Sequence, residues 1–291
     1  MMPFKSLFLS LALLMLAACS DGKPPAAVVA PAEVETTETR RQLQAQLMSA
    51  VFGNDYRAAT GDALAIMRNV DRPQEKTQYV IKPVAHLPLP SGEMVLVANA
   101  DLPDGNGNAM ATHVSPGLLS VYFLRQGGGK WQVLRRQENI AALGSSGDIG
   151  KISWTYLAPK KLGLVVENGG VWQGYLISQL SLFDLSAGTL HDLAGHINVH
   201  SENDGACGPD TEECWNITGA WHFVPSKSVA RYRDLVLEFS GYRTVAAKPA
   251  DKSDKSDPPE HKRSEVTGHA RYSFDGKHYQ LVEGKNLVPG I

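Results

Sequence analysis

From Gln78 onward the apolar residues recur at every second position, in short runs separated by Gly, Asn and Asp. A period of two places alternate side chains on opposite faces of an extended chain, so such runs read as strands with a buried face. Tyr79–Ile81, Met94–Val97, Leu119–Leu124, Trp131–Leu134, Ile152–Leu157 and Leu162–Val166 read this way. So do Tyr175–Leu185, Ile217–Val224, Leu235–Phe239 and the pair around Asp275-Gly276. Tight turns between successive runs imply antiparallel neighbours, because a parallel pair needs a long crossover. The fold class expected is therefore mainly β, built of antiparallel sheets. With 43% hydrophobic and 20% charged residues the chain can fill a core, which excludes wholesale disorder.

The strands also look repeated. Three segments have the form strand, connection, strand, tight turn, strand, beginning at Met94, Leu162 and Asp234. Val95 to Leu164 spans 69 residues and Leu164 to Leu235 spans 71. Two arrangements fit: propeller-like repeated four-strand modules, or a two-layer sandwich whose hairpins merely resemble one another.

Residues 40–77 are expected to form a short helical segment before the β-rich domain of 78–291. Leu43, Leu47 and Val51 lie on one helical face, and Gly53-Asn54 stops it. A second short helix is expected from Asp62 through Met67. Residues 246–265 (AAKPADKSDKSDPPEHKRSE) are polar, mixed in charge and Pro-containing, and read as a disordered loop.

The N-terminus carries an address. Lys5 precedes the ten-residue apolar run Leu7–Leu16, too short for a bilayer core of ~30 Å. Leu16-Ala17-Ala18-Cys19 then resembles the lipobox of bacterial lipoproteins. That resemblance covers residues 1–20 only. It implies that 1–18 is a lipoprotein signal peptide, that Cys19 is the lipid attachment site carrying palmitate-like acyl chains, and that Ser20 directs the protein to the outer membrane. Several acyl chains at one residue anchor stably, at ~0.8 kcal/mol per buried CH₂. Residues 19–39, rich in Pro, Ala, Thr and Glu, then form a flexible tether.

With Lys+Arg 28 and Asp+Glu 30 the net charge is −2, a field too weak for general nucleic-acid binding. Once Cys19 is set aside, two cysteines remain, Cys207 and Cys214. An oxidising periplasm would join them in one disulfide.

Catalytic signatures are lacking. Gly144-Ser145-Ser146-Gly147 has the wrong spacing for a nucleophile elbow, and there is no His-Glu-x-x-His. The densest cluster is His191, His196 and His200, followed by Asp204, a speculative zinc site. Residues 196–200 alternate like a strand, which would set the two rings ~13 Å apart, too far for one ion. Asp104, Asn106 and Asn108, with Asp101 nearby, have the alternating oxygens of a calcium loop, but Ala109 and Ser115 stand where glycine and a bidentate Glu belong. Trp131, Trp154, Trp172, Trp215 and Trp221 would serve a glycan groove or, more commonly, the core. No cofactor is expected from these patterns. The function expected is a non-enzymatic envelope binding protein with a protein, toxin or glycan partner. The alternatives are a metal-dependent hydrolase using the His191–Asp204 stretch and a purely structural lipoprotein.

Overall fold

The computed structural model describes residues 36–70, 72, 74–208, 211–227, 232–246 and 261–290. The expected signal peptide, Cys19 and the expected tether as far as residue 35 lie outside the described residues.

One helix, α1 (Thr37–Phe52), opens the described chain. The Thr36 hydroxyl caps it by accepting the Thr39 N–H at 3.1 Å. Gly53 ends it at φ 56, its N–H returning to the Ser49 carbonyl. The stop signal at Gly53 acts as expected, while the helix begins three residues inside the expected tether. Leu47, Met48, Val51 and Phe52 are its buried face.

Two antiparallel sheets follow, each a simple meander. The first has the order β1 (Tyr56–Arg57), β2 (Asp62–Arg68), β3 (Lys76–Pro88), β4 (Glu93–Asp101), β5 (Gly117–Gly127), β6 (Lys130–Leu143). The second runs from β7 (Lys151–Ala158) through β8 (Lys161–Trp172), β9 (Tyr175–Asp184), β10 (Ile197–Glu202), β11 (Glu213–Val224), β12 (Asp234–Ala246) and β13 (His261–Phe274) to β14 (Tyr279–Gly284). The fold is mainly β, as the alternation implies.

Three expectations need correction. The segment from Asp62 through Met67 is not a helix but strand β2, paired with β3 from Ala63↔Ile81 to Arg68↔Lys76. Its Ala, Leu and Met residues favour a helix locally. Burial of Ala63, Ala65 and Met67 on one face, with Ile66 exposed, shows that sheet pairing overrides that propensity. Second, the repeated modules are not separate blades. The ladder from β7 to β14 is unbroken, so the second and third modules share one sheet. Third, the loop expected over 246–265 is shorter at its C-terminal end, because His261–Glu265 already pairs with β12, as in Tyr242↔Glu265. Residues 247–260 lie outside the described residues.

The layers follow from three apolar clusters. α1 covers one face of the first sheet, where Leu47 and Phe52 meet Leu96 and Tyr122. The other face, with Val95, Val97, Val121 and Phe123, packs on Leu162, Leu164, Val166 and Phe183 of the second sheet. β8 is thus buried on both sides, since Val165 faces a third cluster with Leu235, Leu237 and Tyr272. The second sheet therefore curls, its later strands closing over its earlier ones. Burial on both faces explains why β4 and β8 carry near-continuous apolar runs in place of the strict alternation expected. The C-terminal tail crosses the same cluster, burying Val288, with the Asn286 amide donating to the Asn198 carbonyl at 3.0 Å. Cys207 and Cys214 form a disulfide, with Cα atoms 6.0 Å apart. It ties the segment after β10 to the start of β11.

Candidate ligand-binding cleft

The residues singled out from sequence do not assemble. His191 and His196 are exposed in the connection before β10, and His196 sits at φ 68, in a turn rather than a strand. His200 lies on β10 with Nε2 3.7 Å from the Glu202 carboxylate. Asp204 instead accepts the Tyr242 hydroxyl at 2.7 Å and the Asn216 amide at 3.1 Å. Among the described residues no three His, Cys, Asp or Glu side chains converge to hold a metal ion. In the candidate calcium loop, Asp104 Oδ1 accepts the backbone N–H groups of Asn106 and Asn108, each at 2.8 Å. Its oxygens are turned onto the loop's own backbone, and the Asn108 and Asn106 hydrogen bonds hold its carboxyl below the usual range. Trp215 and Trp221 pack against the core of the second sheet, beside Tyr175 and Phe223.

What the fold does create is a cleft of about 950 Å³ between the two sheets. Its floor is apolar, formed by Phe123, Tyr156, Leu162 and Leu185. Pro90, in the turn between β3 and β4, and Leu134 of β6, 48% exposed, form one lip. Three cations line it: Arg135 of β6, Lys160 in the turn between β7 and β8, and Arg233 just before β12.

Each cation is placed by local structure. The Arg135 guanidinium lies 3.7 Å from the centre of the Phe123 ring, a cation–π stack. It also donates to the carbonyls of Leu185, Ala187 and Gly188, which latches the edge of the first sheet onto the connection after β9. Lys160 takes φ 63 in a two-residue turn, which turns its side chain outward and leaves it exposed. The Arg233 N–H donates to the Leu157 carbonyl at 2.6 Å and so docks its segment on the free edge of β7. Among the described residues none of the three meets a carboxylate. Glu93, which also lines the cleft, is committed to Arg125 at 2.9 Å. In a chain of net charge −2, the cleft is a local excess of positive charge.

One wall is held by a buried carboxylate. Asp184, 4% exposed, accepts the Ser186 N–H (2.9 Å) and hydroxyl (2.6 Å) at Oδ1, and the Tyr232 hydroxyl (2.6 Å) and Lys161 ammonium (2.9 Å) at Oδ2. Burial pushes its pKa up, but the bonds from Ser186, Tyr232 and Lys161 outweigh this and hold it below the usual range. Asp184 in turn raises Lys161. The cluster superficially offers a serine beside a lysine. A raised Lys161 stays protonated and cannot act as base, however, and the Ser186 proton is already given to Asp184. The arrangement is a clamp joining β8, β9 and the segment before β12.

Sequence reasoning missed Arg135, Lys160, Arg233 and the Asp184 clamp. The available signal was a set of basic clusters at strand ends: Arg135-Arg136, Lys160-Lys161, and Arg231 with Arg233. Each lies far from the others in the chain, so only the packing of one sheet on the other reveals their convergence. Compared with protein-family models, with curated proteins and with solved structures, the chain matches none, and the chemistry of the cleft carries the functional argument.

Proposed function

We propose that this chain is a non-enzymatic binding protein of the bacterial envelope, anchored in the outer membrane through lipid on Cys19 and holding its ligand in the cleft between the sheets. The carrying observation is the cleft itself: an apolar floor at the junction of two sheets, lined by Arg135, Lys160 and Arg233, none of which meets a carboxylate among the described residues, with Glu93 paired to Arg125. Concave, mostly apolar sites with a few fixed polar groups are where ligands bind, commonly within 300–1,000 Å³. The lipobox resemblance of Leu16-Ala17-Ala18-Cys19 supports the anchor. A binding role also accords with the state of Ser186 beside the cleft, whose hydroxyl is committed to Asp184.

The test is site-specific photo-crosslinking in intact cells. A photoreactive residue at Leu134, on the lip, should give an adduct of discrete mass, whereas one at Val282 on β14, at the far edge of the second sheet, should give none. Equal labelling at both positions, or none at Leu134, would remove the cleft from the account.

A further inference from the structure

We infer that the ligand of this cleft is an anionic amphiphile: an aliphatic body with a carboxylate or phosphate head. This rests on the reading of the cleft as a binding site and adds the chemistry of its occupant. The argument is charge complementarity over an apolar surface. A neutral glycan would use flat aromatic faces with neutral hydrogen-bonding groups. Here the floor is Phe123, Tyr156, Leu162 and Leu185, and the Phe123 face is already taken by the Arg135 guanidinium, which leaves Tyr156 alone among the floor's aromatic rings. A cationic ligand would meet three like charges, and Glu93 is already paired with Arg125.

The cations differ in how they are held, and this sets the roles. Arg135 is fixed by its stack and its three carbonyl contacts, which use Nη1 and Nη2. It supplies a preorganised positive field at the floor rather than a free fork. Lys160 and Arg233 have no hydrogen-bond partner for their charged ends among the described residues, so they are the groups able to bond a head group directly. Arg favours a planar carboxylate or phosphate bidentately, and Lys adds a point charge. The apolar body of the ligand would lie toward Leu162 and Leu185, with Leu134 over it.

The experiment uses the full chain in phosphatidylcholine nanodiscs, with empty nanodiscs as blank, and isothermal titration. The probes are octanoate, octyl phosphate, octyltrimethylammonium and octyl glucoside. The two anions should bind at one per chain, at least about tenfold tighter than the cationic and neutral probes, and weaken as salt is raised. Which anion binds tighter distinguishes a carboxylate source from a phosphate source. Lys160→Asn removes a charge while keeping a residue that tolerates positive φ. Combined with Arg233→Gln, it should weaken the anions about tenfold or more and leave octyl glucoside unchanged. An unaltered urea midpoint in Lys160→Asn confirms that the fold is intact. Equal binding of all four probes, an effect of the double variant on the neutral probe alone, or no binding by either anion would overturn the inference. A Leu134 photo-adduct that proves to be a peptide would also overturn it, yet leave the cleft as the binding site. Absence of any Leu134 adduct would remove the site itself.

Discussion

Replacing Asp184 by Asn keeps the shape of the side chain and removes its charge. The carboxylate takes two donors on each oxygen: the Ser186 N–H and hydroxyl on Oδ1, the Tyr232 hydroxyl and Lys161 ammonium on Oδ2. An amide offers one acceptor oxygen and an NH₂ group. Whichever way it is placed, the NH₂ faces one donor that cannot reverse, the Ser186 N–H or the Lys161 ammonium, while the hydroxyl on that side must turn to accept. Removing one partner of a buried ion pair costs about 3–5 kcal/mol. Asp184 is 4% exposed but Lys161 is one-third exposed and regains some solvation, so the lower end applies, about 3 kcal/mol. For a domain of this size that is a fall in Tm of about 6–12 °C. Tyr232→Phe, which deletes a single charge-assisted bond, should cost about 1.5 kcal/mol. The assay is urea unfolding followed by tryptophan fluorescence, with unchanged m-values. The effect has a definite pH dependence. Folding lowers the Asp184 pKa, so its contribution is complete above the unfolded value of about 3.9 and drains away as pH falls through the folded pKa. The gap between wild type and Asp184→Asn should therefore close as pH is lowered below about 4. A gap under about 1 kcal/mol at neutral pH, or one that widens in acid, would refute the clamp.

Three further outcomes follow from other parts of the chain. Cys19→Ala should leave uncleaved precursor or release the protein from the membrane fraction; processing and fractionation like wild type would contradict lipid anchoring. Alkylation of the non-reduced protein should label neither Cys207 nor Cys214, and Cys214→Ser should lower stability by an amount near the low end of ~2–4 kcal/mol, because the closed loop is short. In β8, a Cβ on Gly169 would lie 1.8 Å from the Ile177 carbonyl oxygen of β9, so Gly169→Ala should force the strands apart at a cost of about 1–3 kcal/mol, read as a lowered urea midpoint.

Legibility in the sequence tracked the range of the forces involved. Strand alternation is a local consequence of one-sided burial, so the strands from Tyr79 onward were readable, as was the helix stop at Gly53. The helix expected from Asp62 through Met67 rests on Ala, Leu and Met residues that favour one locally, and only pairing with Lys76–Ile81 makes the segment a strand. A two-layer sandwich is one of the two arrangements the strand pattern leaves open, and the packing of Val121 and Phe123 on Leu164 and Phe183 is of that kind. The curling of the second sheet was not legible, because it depends on Val165 meeting Leu235 across 70 residues of chain. The cleft was invisible for the same reason. Arg135, Lys160 and Arg233 come from three separate turns and edges, and each alone looks like an ordinary surface cation. The His191–Asp204 stretch drew notice through local density, a signal that says nothing about whether side chains converge.

The proposed function requires a discrete ligand in the cleft between the sheets. Native mass spectrometry of the protein extracted gently from its own envelope would detect it. One added mass per chain is expected, released on denaturation, lost in Leu134→Asp and retained in Leu281→Asp, a change at the exposed β14 edge. A bare chain, or an adduct equally abundant in both variants, would contradict it.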